Sequence, residues 1–209
     1  MTAPSESVLR QSCEVLAKRD EALAKAYQTV DLPNWRDTEA NYQSLARIVV
    51  YQLISTQAAD AIWSRISARY QKMTARAVLD DEAPALLACG LSRPKLGHLK
   101  AIAEAVDTGA LNLAELAVTE IEDARQSLLA VRGIGPWTAE TFLMNAVGHL
   151  DAFPHGDVGL MEAYKRLTGA SERLASKAFS ETAENWRPYR AVAAHLLYDW
   201  LHFDRANSA

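Results

Sequence analysis

The sequence predicts an all-α protein. Apolar residues make up 49% of its 209 residues, and there are only nine glycines and seven prolines. Alanine and leucine are frequent, and both favour helices over strands. Apolar residues recur at helical spacing in most segments, and no segment has a convincing strand pattern, repeat or low-complexity composition. A chain of this length can bury a sizeable core, in one domain or in two small ones.

The first half of the chain divides into predicted helices with short polar breaks between them. Apolar residues at helical spacing between positions 8 and 27 predict one long first helix, which ends at the turn-forming residues 31–35. Pro94 fits the first turn of a later helix that reaches Asp107, where Thr108 and Gly109 end it. Between these two helices, the same spacing predicts helices over 38–53, 55–70, 74–79 and 82–89.

The second half begins with two helices that form a predicted hairpin over residues 119–147. Thr119 and Glu122 fit a capping box at the start of the first helix. The second helix is predicted over 137–147. Three more helices follow in the prediction, over 157–167, 171–185 and 188–203.

The turn inside this hairpin is the most informative segment of the chain. Residues 128–139 are Leu-Leu-Ala-Val-Arg-Gly-Ile-Gly-Pro-Trp-Thr-Ala, which predicts a helix end, a tight turn and a new helix from Pro136. Gly133 and Gly135 let the backbone turn sharply and come close to another molecule. The unpaired N–H groups and the dipole at the start of the next helix suit a phosphate. A Gly-X-Gly connector between helices is also common without a ligand, so the turn alone does not establish a phosphate site.

An acidic residue lies downstream of this turn. Asp157 follows Gly135 by 22 residues and stands after Phe-Pro-His-Gly at 153–156. An acid at this place is often a plain helix N-cap. Together, however, a phosphate-binding turn and an acid at a fixed distance form a layout for chemistry on nucleic acid. His155 is interpreted as a surface or capping histidine rather than as a second acid or base.

These residues resemble the helix-hairpin-helix DNA glycosylases, and most closely their AlkA-like 3-methyladenine branch. The resemblance is carried by Leu-x-x-x-x-Gly-Ile-Gly-x-Trp-Thr-Ala at 128–139 and by Asp-x-Phe-Pro-x-x-Asp at 151–157. It extends from about residue 42 to residue 200. Three further segments agree with the family: Tyr-Gln-Leu-Ile-Ser-Thr-Gln-Ala-Ala at 51–59, Leu-Ser-x-x-Lys at 91–95 and Trp-Arg-Pro-x-Arg at 186–190.

The resemblance implies a fold of two helical lobes that flank a cleft. Residues 36–150 are then a central lobe that ends in the helix-hairpin-helix at 119–147. The second lobe is formed by residues 1–35 together with 151–209. Asp157 is expected at the cleft, at the start of the helix that returns to the second lobe.

The resemblance also implies the chemistry, which is hydrolysis of an N-glycosidic bond. Asp157 is the expected catalytic residue, because a carboxylate beside the sugar stabilises an oxocarbenium-like transition state and orients water. Bifunctional members carry a lysine directly after the position of Pro136. This chain has Trp137 there, and an indole cannot form a Schiff base, so we expect no strand cleavage. No cysteine follows Cys89, which excludes the family's iron–sulfur cluster.

Four residues are expected to line the substrate pocket: Trp137, Thr141, Val158 and Trp186. The two indoles suit bases made cationic by alkylation, although helical proteins also bury tryptophan in their cores. Thr141 and Val158 stand where the best-known AlkA-type pocket has tyrosines. The range of substrate bases therefore stays open.

The expected DNA contacts lie in three segments. Leu53 matches the wedge that fills the gap left by a flipped nucleotide, and a core leucine is the equally weighted alternative. Gln52 precedes this wedge, and Arg93 and Lys95 lie in the Leu-Ser-x-x-Lys segment. The hairpin contacts are expected at Gly133, Ile134, Gly135 and Thr138, with phosphate held by the N–H groups of Gly133, Gly135 and Thr138. By the same resemblance, carbonyls of Leu129, Val131 and Ile134 are expected to coordinate a Na⁺ or K⁺ ion.

Charge and composition limit the partners. The net charge of −4 argues against a protein that coats DNA by bulk charge, but it leaves room for a local basic face. No apolar run has membrane-spanning length, and no signal peptide is visible in the first ten residues. We therefore expect a cytoplasmic protein. The resemblance further implies a nucleoid-associated bacterial monomer that binds double-stranded DNA containing damaged bases. Two alternatives stay open, namely a glycosylase for deaminated or mismatched bases and a non-catalytic protein that only binds damaged DNA.

Overall fold

The computed structural model describes residues 3–208, and the predicted all-α fold is confirmed over these residues, which contain no strand. Met1, Thr2 and Ala209, which belong to the predicted second lobe, lie outside the described residues. No helix in this part of the chain has the length and apolar character needed to cross a membrane. The α-helices in chain order are α1 Glu6–Arg19, α2 Glu21–Val30, α3 Tyr42–Tyr51, α4 Thr56–Ser67, α5 Ala75–Asp80, α6 Ala83–Ala88, α7 Arg93–Asp107, α8 Ile121–Leu129, α9 Pro136–Phe142, α10 Val158–Thr168, α11 Ser176–Ala183 and α12 Arg190–Asn207.

The chain forms two compact units. Unit 1 comprises Met1–Asp37 and Gly148–Ala209, and unit 2 comprises Thr38–Val147. Unit 1 therefore contains α1, α2 and α10 to α12, while unit 2 contains α3 to α9. Two non-contiguous stretches build unit 1, so contacts distant in sequence hold it together.

The predicted single helix at the start of unit 1 is wrong, because it is two helices that meet at Asp20. The backbone of Asp20 is extended, with φ −146° and ψ 119°, and its Oδ1 accepts a hydrogen bond of 2.8 Å from the N–H of Ala22. A side chain that caps N–H groups in this way starts a new helix. The other oxygen, Oδ2, accepts from Trp186 Nε1 at 2.9 Å and from the Tyr164 hydroxyl at 3.1 Å. Asp20 thus joins the two sequence segments of unit 1.

An ion-pair network fixes the chain that leads into α10. Asp151 is buried, and both of its oxygens accept hydrogen bonds of 2.9 Å from the guanidinium of Arg190. Arg187 donates to the same carboxylate, and Glu184 accepts from both arginines. Bidentate arginine–carboxylate pairs fix geometry as well as charge. This network holds the start of the 151–157 loop against the first turn of α12.

In unit 2, α3 packs against α4, α7 and α9, and α8 packs against α9. The guanidinium of Arg125 in α8 pairs with Glu140 in α9, whose carboxylate is buried. The predicted capping box of α8 is wrong, because the Thr119 hydroxyl donates to the carbonyl of Glu115 at 2.8 Å, and Glu120 occupies the N-cap without a side-chain bond. The helix begun by α9 continues as a π-helical turn over Leu143–Val147. Several predicted helices are longer than the observed ones, such as 38–53 for α3 and 171–185 for α11.

A buried histidine in unit 1 provides a test of this core. His195 is fully buried in α12, its ring lies 4.2 Å from the ring of Trp35, and neither ring nitrogen has a hydrogen-bond partner in the described part of the chain. Burial, helped by the charge of Arg36, lowers the pKa of His195 to about 3. The unfolded chain has an ordinary histidine pKa of about 6.5.

Because the folded pKa is the lower one, only the unfolded chain binds this proton between about pH 6.5 and pH 3. The free energy of unfolding should therefore fall with falling pH, and this histidine contributes a slope of about 1.4 kcal/mol per pH unit. We expect the His195→Leu variant to lose that slope in urea titrations between pH 7 and pH 4. The exposed His202, replaced by Gln, serves as the control. Equal slopes for wild type and His195→Leu would contradict the assignment.

Candidate active site

The hairpin turn of unit 2 runs from the end of α8 to the start of α9. The N–H of Ile134 donates to the carbonyl of Val131 at 3.1 Å, which closes the turn. Gly133 has φ +96°, a conformation that side chains rarely adopt, whereas Gly135 is an extended N-cap with φ −93°. A Cβ placed on Gly135 would meet nothing within 4 Å. The backbone at Gly135 is therefore open to a close approach by another molecule.

Gly133 is required for a second reason, which is its contact with α7. A Cβ at Gly133 would lie 2.5 Å from the Cβ of His98 and 3.0 Å from its Cα. Real Cβ atoms do not approach other atoms this closely, so only glycine lets α7 and the turn touch. The sequence marks Gly133 as a turn residue but does not reveal His98 as its neighbour.

The structure corrects the predicted DNA contact at Ile134. Its side chain is buried in unit 2, and its N–H is already bonded to Val131. Thr138 is also buried, and its Oγ1 accepts a hydrogen bond from Gln52 Nε2. Within Thr138, it is therefore the backbone N–H and not the hydroxyl that suits the predicted phosphate contact.

Trp137 and Thr141 differ in how they suit the predicted substrate pocket. Trp137 is half-buried in the first turn of α9. Thr141 is buried, and its hydroxyl donates to the carbonyl of Trp137 at 2.7 Å inside the helix. The Thr141 hydroxyl therefore uses its proton in a hydrogen bond within α9 and does not offer it to a substrate base.

Leu53 lies in the loop between α3 and α4, and the alternative that it is a core leucine is wrong. Its side chain is fully exposed (103%), and the next residue, Ile54, is also exposed. The backbone of Leu53 has φ +57°, in the left-handed region that is costly for a residue with a Cβ. Strained backbone of this kind persists where surrounding contacts impose it, often at functional sites.

Lys95, predicted to contact DNA, instead contacts this loop. Its Nζ donates to the carbonyl oxygens of Val50 at 2.6 Å and of Gln52 at 2.7 Å. Burial lowers the pKa of Lys95. Arg93, two positions earlier in α7, is exposed.

Asp157 is the N-cap of α10 in unit 1. Its Oδ1 accepts a hydrogen bond of 3.0 Å from the N–H of Leu160. Its carboxylate also shares a side-chain hydrogen bond with Tyr198 of α12. Desolvation of the Tyr198 hydroxyl, strengthened by the adjacent carboxylate, raises the pKa of Tyr198 well above its usual value. Tyr198 is therefore a neutral donor toward Asp157 over the ordinary pH range.

A glycine and an arginine complete the surroundings of Asp157. A Cβ on Gly159 would lie 3.0 Å from Asp157 Oδ1 and 3.7 Å from the Tyr198 ring, so the missing side chain leaves room for this contact. The guanidinium of Arg36 lies 4.6 Å from the centre of the Tyr198 ring, within range of a cation–π interaction. Arg36 thus lies against the ring of the tyrosine that contacts Asp157.

The remaining predicted residues of unit 1 separate into core and surface. Trp186 has no exposed surface, packs among Phe153, Tyr164 and Phe179 with ring centres 5.5 to 5.7 Å away, and donates its N–H to Asp20. It is a core residue, so the prediction that it lines the pocket is wrong for this structure. Val158, next to Asp157, is 58% exposed.

Tyr198, Gly159 and Arg36 were not found by the sequence analysis. Tyr198 lies 41 positions after Asp157 and Arg36 lies 121 positions before it, and no spacing rule links such distant residues. A polar ring within the apolar pattern of α12 was the one available signal for Tyr198.

Comparison with known protein families assigns the chain to one of them. The model of the HhH-GPD superfamily of base excision DNA repair proteins matches residues 46–188, which include the Leu53 loop, the hairpin and Asp157. The chain belongs to this superfamily.

Several proteins that are similar to this chain in sequence or structure are named as 3-methyladenine DNA glycosylases. The Schizosaccharomyces pombe DNA-3-methyladenine glycosylase 1 is 30% identical over 161 residues, which cover 75% of this chain and 71% of that protein. A solved S. pombe 3-methyladenine DNA glycosylase in complex with abasic DNA matches with a TM-score of 0.82 at 26% identity, over 90% of this chain and 95% of that chain. The Bacillus halodurans DNA-3-methyladenine glycosidase matches with a TM-score of 0.78 at 28% identity, over 97% and 92% of the two chains.

Some relatives are much longer. The chain spans 31% of the length of a Bacillus subtilis relative and 32% of a Mycobacterium tuberculosis relative. The similarity to these proteins therefore concerns one part of each.

The two glycines of the turn yield a matched prediction. We expect Gly133→Ala to lower the free energy of unfolding by about 3 kcal/mol, because it adds backbone strain and a clash with His98. Gly135→Ala should stay within about 0.5 kcal/mol of wild type, since its Cβ enters open space. Urea denaturation measures both. Equal stability of the two variants would show that the turn does not depend on the contact with His98.

Proposed function

We propose that this protein is a monofunctional DNA glycosylase that removes alkylated purines, such as 3-methyladenine, from double-stranded DNA. The observation that carries the proposal is Asp157, whose carboxylate is held by the N–H of Leu160 and the hydroxyl of Tyr198 in a chain of this superfamily. The names of the yeast and Bacillus relatives support 3-methyladenine as the substrate class.

The chemistry asked of Asp157 is stabilisation of a positive sugar. When the bond between C1′ and the base nitrogen breaks, its electron pair leaves with the base, and positive charge develops on the sugar. A carboxylate beside C1′ stabilises that charge and orients the water that attacks C1′. Two hydrogen bonds fix the carboxylate before the substrate arrives, so little reorganisation is needed in the transition state.

The absence of lyase activity is part of the proposal. A lyase of this kind needs an amine that attacks C1′ and forms a Schiff base. Trp137 follows Pro136 at the start of α9, and its indole cannot serve as that amine. The expected product is an intact strand with an abasic site.

Unit 2 supplies the proposed DNA contacts. The open backbone at Gly135, with the N–H groups of Gly133 and Thr138, is suited to a phosphate. Leu53 is suited to the gap that a flipped base leaves, because it is fully exposed on a loop with imposed geometry. Arg93 is an exposed cation for a further phosphate contact.

We also propose that the hairpin turn binds a monovalent cation. Neutral carbonyl oxygens suit such hard ions. The carbonyl of Val131 bonds the N–H of Ile134 and retains a second lone pair. Leu129, Val131 and Ile134 would hold the ion through their carbonyls, and its charge would add to the attraction for a phosphate.

The first test of the function is Asp157→Asn. Asparagine still caps α10, so the fold and DNA binding should be retained, while single-turnover base release from methylated duplex DNA should fall at least about 100-fold. The products are compared before and after hot alkali. Strand breaks that appear only after alkali indicate a glycosylase without lyase activity.

Glu162→Gln, a carboxylate change on the same helix, is the control and should keep full activity. Full activity of Asp157→Asn would overturn the assignment. Release of deaminated bases alone would show that the substrates are deaminated bases and not alkylated purines. Binding without release of any base would indicate a non-catalytic damage-binding protein.

The second test is Tyr198→Phe, which removes the hydroxyl donor and keeps the ring under Arg36. We expect base release to slow by about tenfold, because the carboxylate loses one of the contacts that orient it. In the Asp157→Asn background the same change should have almost no further effect on base release. Equal losses in both backgrounds would show that Tyr198 acts independently of Asp157.

A further inference from the structure

The loop between α3 and α4 holds its exposed leucine in a conformation that the chain does not favour by itself. Leu53 has φ +57° and a fully exposed side chain, so it gains no burial that would offset the disfavoured backbone. Some other contact must therefore impose this geometry. The wedge loop, defined as residues 52–55, has two such contacts on the residue that immediately precedes Leu53.

The first contact comes from Lys95 in α7. Its ammonium donates to the carbonyl of Val50 at 2.6 Å and to the carbonyl of Gln52 at 2.7 Å. These carbonyls lie at the C-terminal end of α3, where helix carbonyls lack N–H partners and the helix dipole is negative. A cation at this end satisfies the carbonyls and fixes the direction in which the chain leaves the helix.

The second contact comes from the hairpin. The side chain of Gln52 donates through Nε2 to the Oγ1 of Thr138, which is buried in α9. Gln52 is thus held through its backbone by α7 and through its side chain by the hairpin. Both contacts lie within unit 2.

We propose that Lys95 is a positioning residue that sets the geometry of the wedge loop and acts on DNA only through Leu53. The proposal rests on the proposed function, in that Leu53 is taken to act on DNA. It replaces the sequence-based expectation that Lys95 contacts DNA directly. A phosphate contact would require the ammonium to leave two short hydrogen bonds to backbone carbonyls, which would then lose a charged donor.

Two variants separate these roles. Lys95→Met keeps the aliphatic stem and removes the charge and the donors. Lys100→Met is the matched control, because Lys100 lies on the same helix and donates to a backbone carbonyl, that of Asp81, at 3.1 Å, away from the wedge loop. Lys95→Gln, which retains a donor, is used if Lys95→Met does not fold.

Three measurements are made on the full chain. The first is the rate at which thermolysin cleaves at residues 52–54, identified by mass spectrometry. The second is the salt dependence of binding to a duplex that carries a tetrahydrofuran abasic-site analogue. The third is single-turnover base release from methylated duplex DNA, with Leu53 intact and in a Leu53→Ala background.

For Lys95→Met we expect loop cleavage to accelerate at least about tenfold, because the loop opens more often. The slope of log K against log salt should equal that of wild type, since no phosphate contact is lost. Base release should fall by about 10- to 100-fold with Leu53 present and by less than about twofold in the Leu53→Ala background. Lys100→Met should match wild type in all three measurements.

A slope reduced by about 1, with unchanged loop cleavage, would identify Lys95 as a phosphate contact and overturn the proposal. Equal losses of base release in the two Leu53 backgrounds would also overturn it. If wild type releases no methylated base, the proposed function fails, while loop cleavage and the salt slope still decide the role of Lys95.

Discussion

The hydrogen bond between Asp157 Oδ1 and the N–H of Leu160 is the constraint on which the functional part of unit 1 depends. It starts α10 and, at the same time, fixes the carboxylate proposed to act on the sugar. Other residues of unit 1 around Asp157 preserve this double role. Gly159 leaves space for the carboxylate, Tyr198 donates to it, and the Asp151–Arg190 pair holds the loop that leads to it.

In unit 2, a few contacts likewise hold the elements that are proposed to act on DNA. The hairpin turn lies against α7 because Gly133 has no side chain to collide with His98. The same helix α7 holds the wedge loop through Lys95, and α9 holds it through Thr138. The helix α7 therefore orients the hairpin turn and the wedge loop, both of which we propose to contact DNA. A change at His98 or Lys95 of α7 is expected to affect DNA recognition, although neither side chain is proposed to contact DNA.

Much of the fold and part of the site were predictable from local patterns. Helical spacing, Pro94 and Gly109 identified α7, and the Gly-Ile-Gly turn identified the hairpin. Asp157 was found because both its capping role and its proposed chemical role need an acid at a helix start. The misses that involve distant partners have a common cause. Asp20, Trp186 and Lys95 are bonded to partners between 43 and 166 positions away, and periodicity carries no information on such pairs.

The sequence by itself determined the helical class, the hairpin turn, the acid at the start of α10 and the tryptophan in place of a lysine, because each depends on residue type and near neighbours. Only the tertiary structure decided which polar side chains serve the fold. It placed Trp186 in the core, Lys95 on backbone carbonyls and Leu53 in solvent. The physical reason is that burial and hydrogen-bond partners depend on which distant segments pack together, and composition at a single position does not specify that packing.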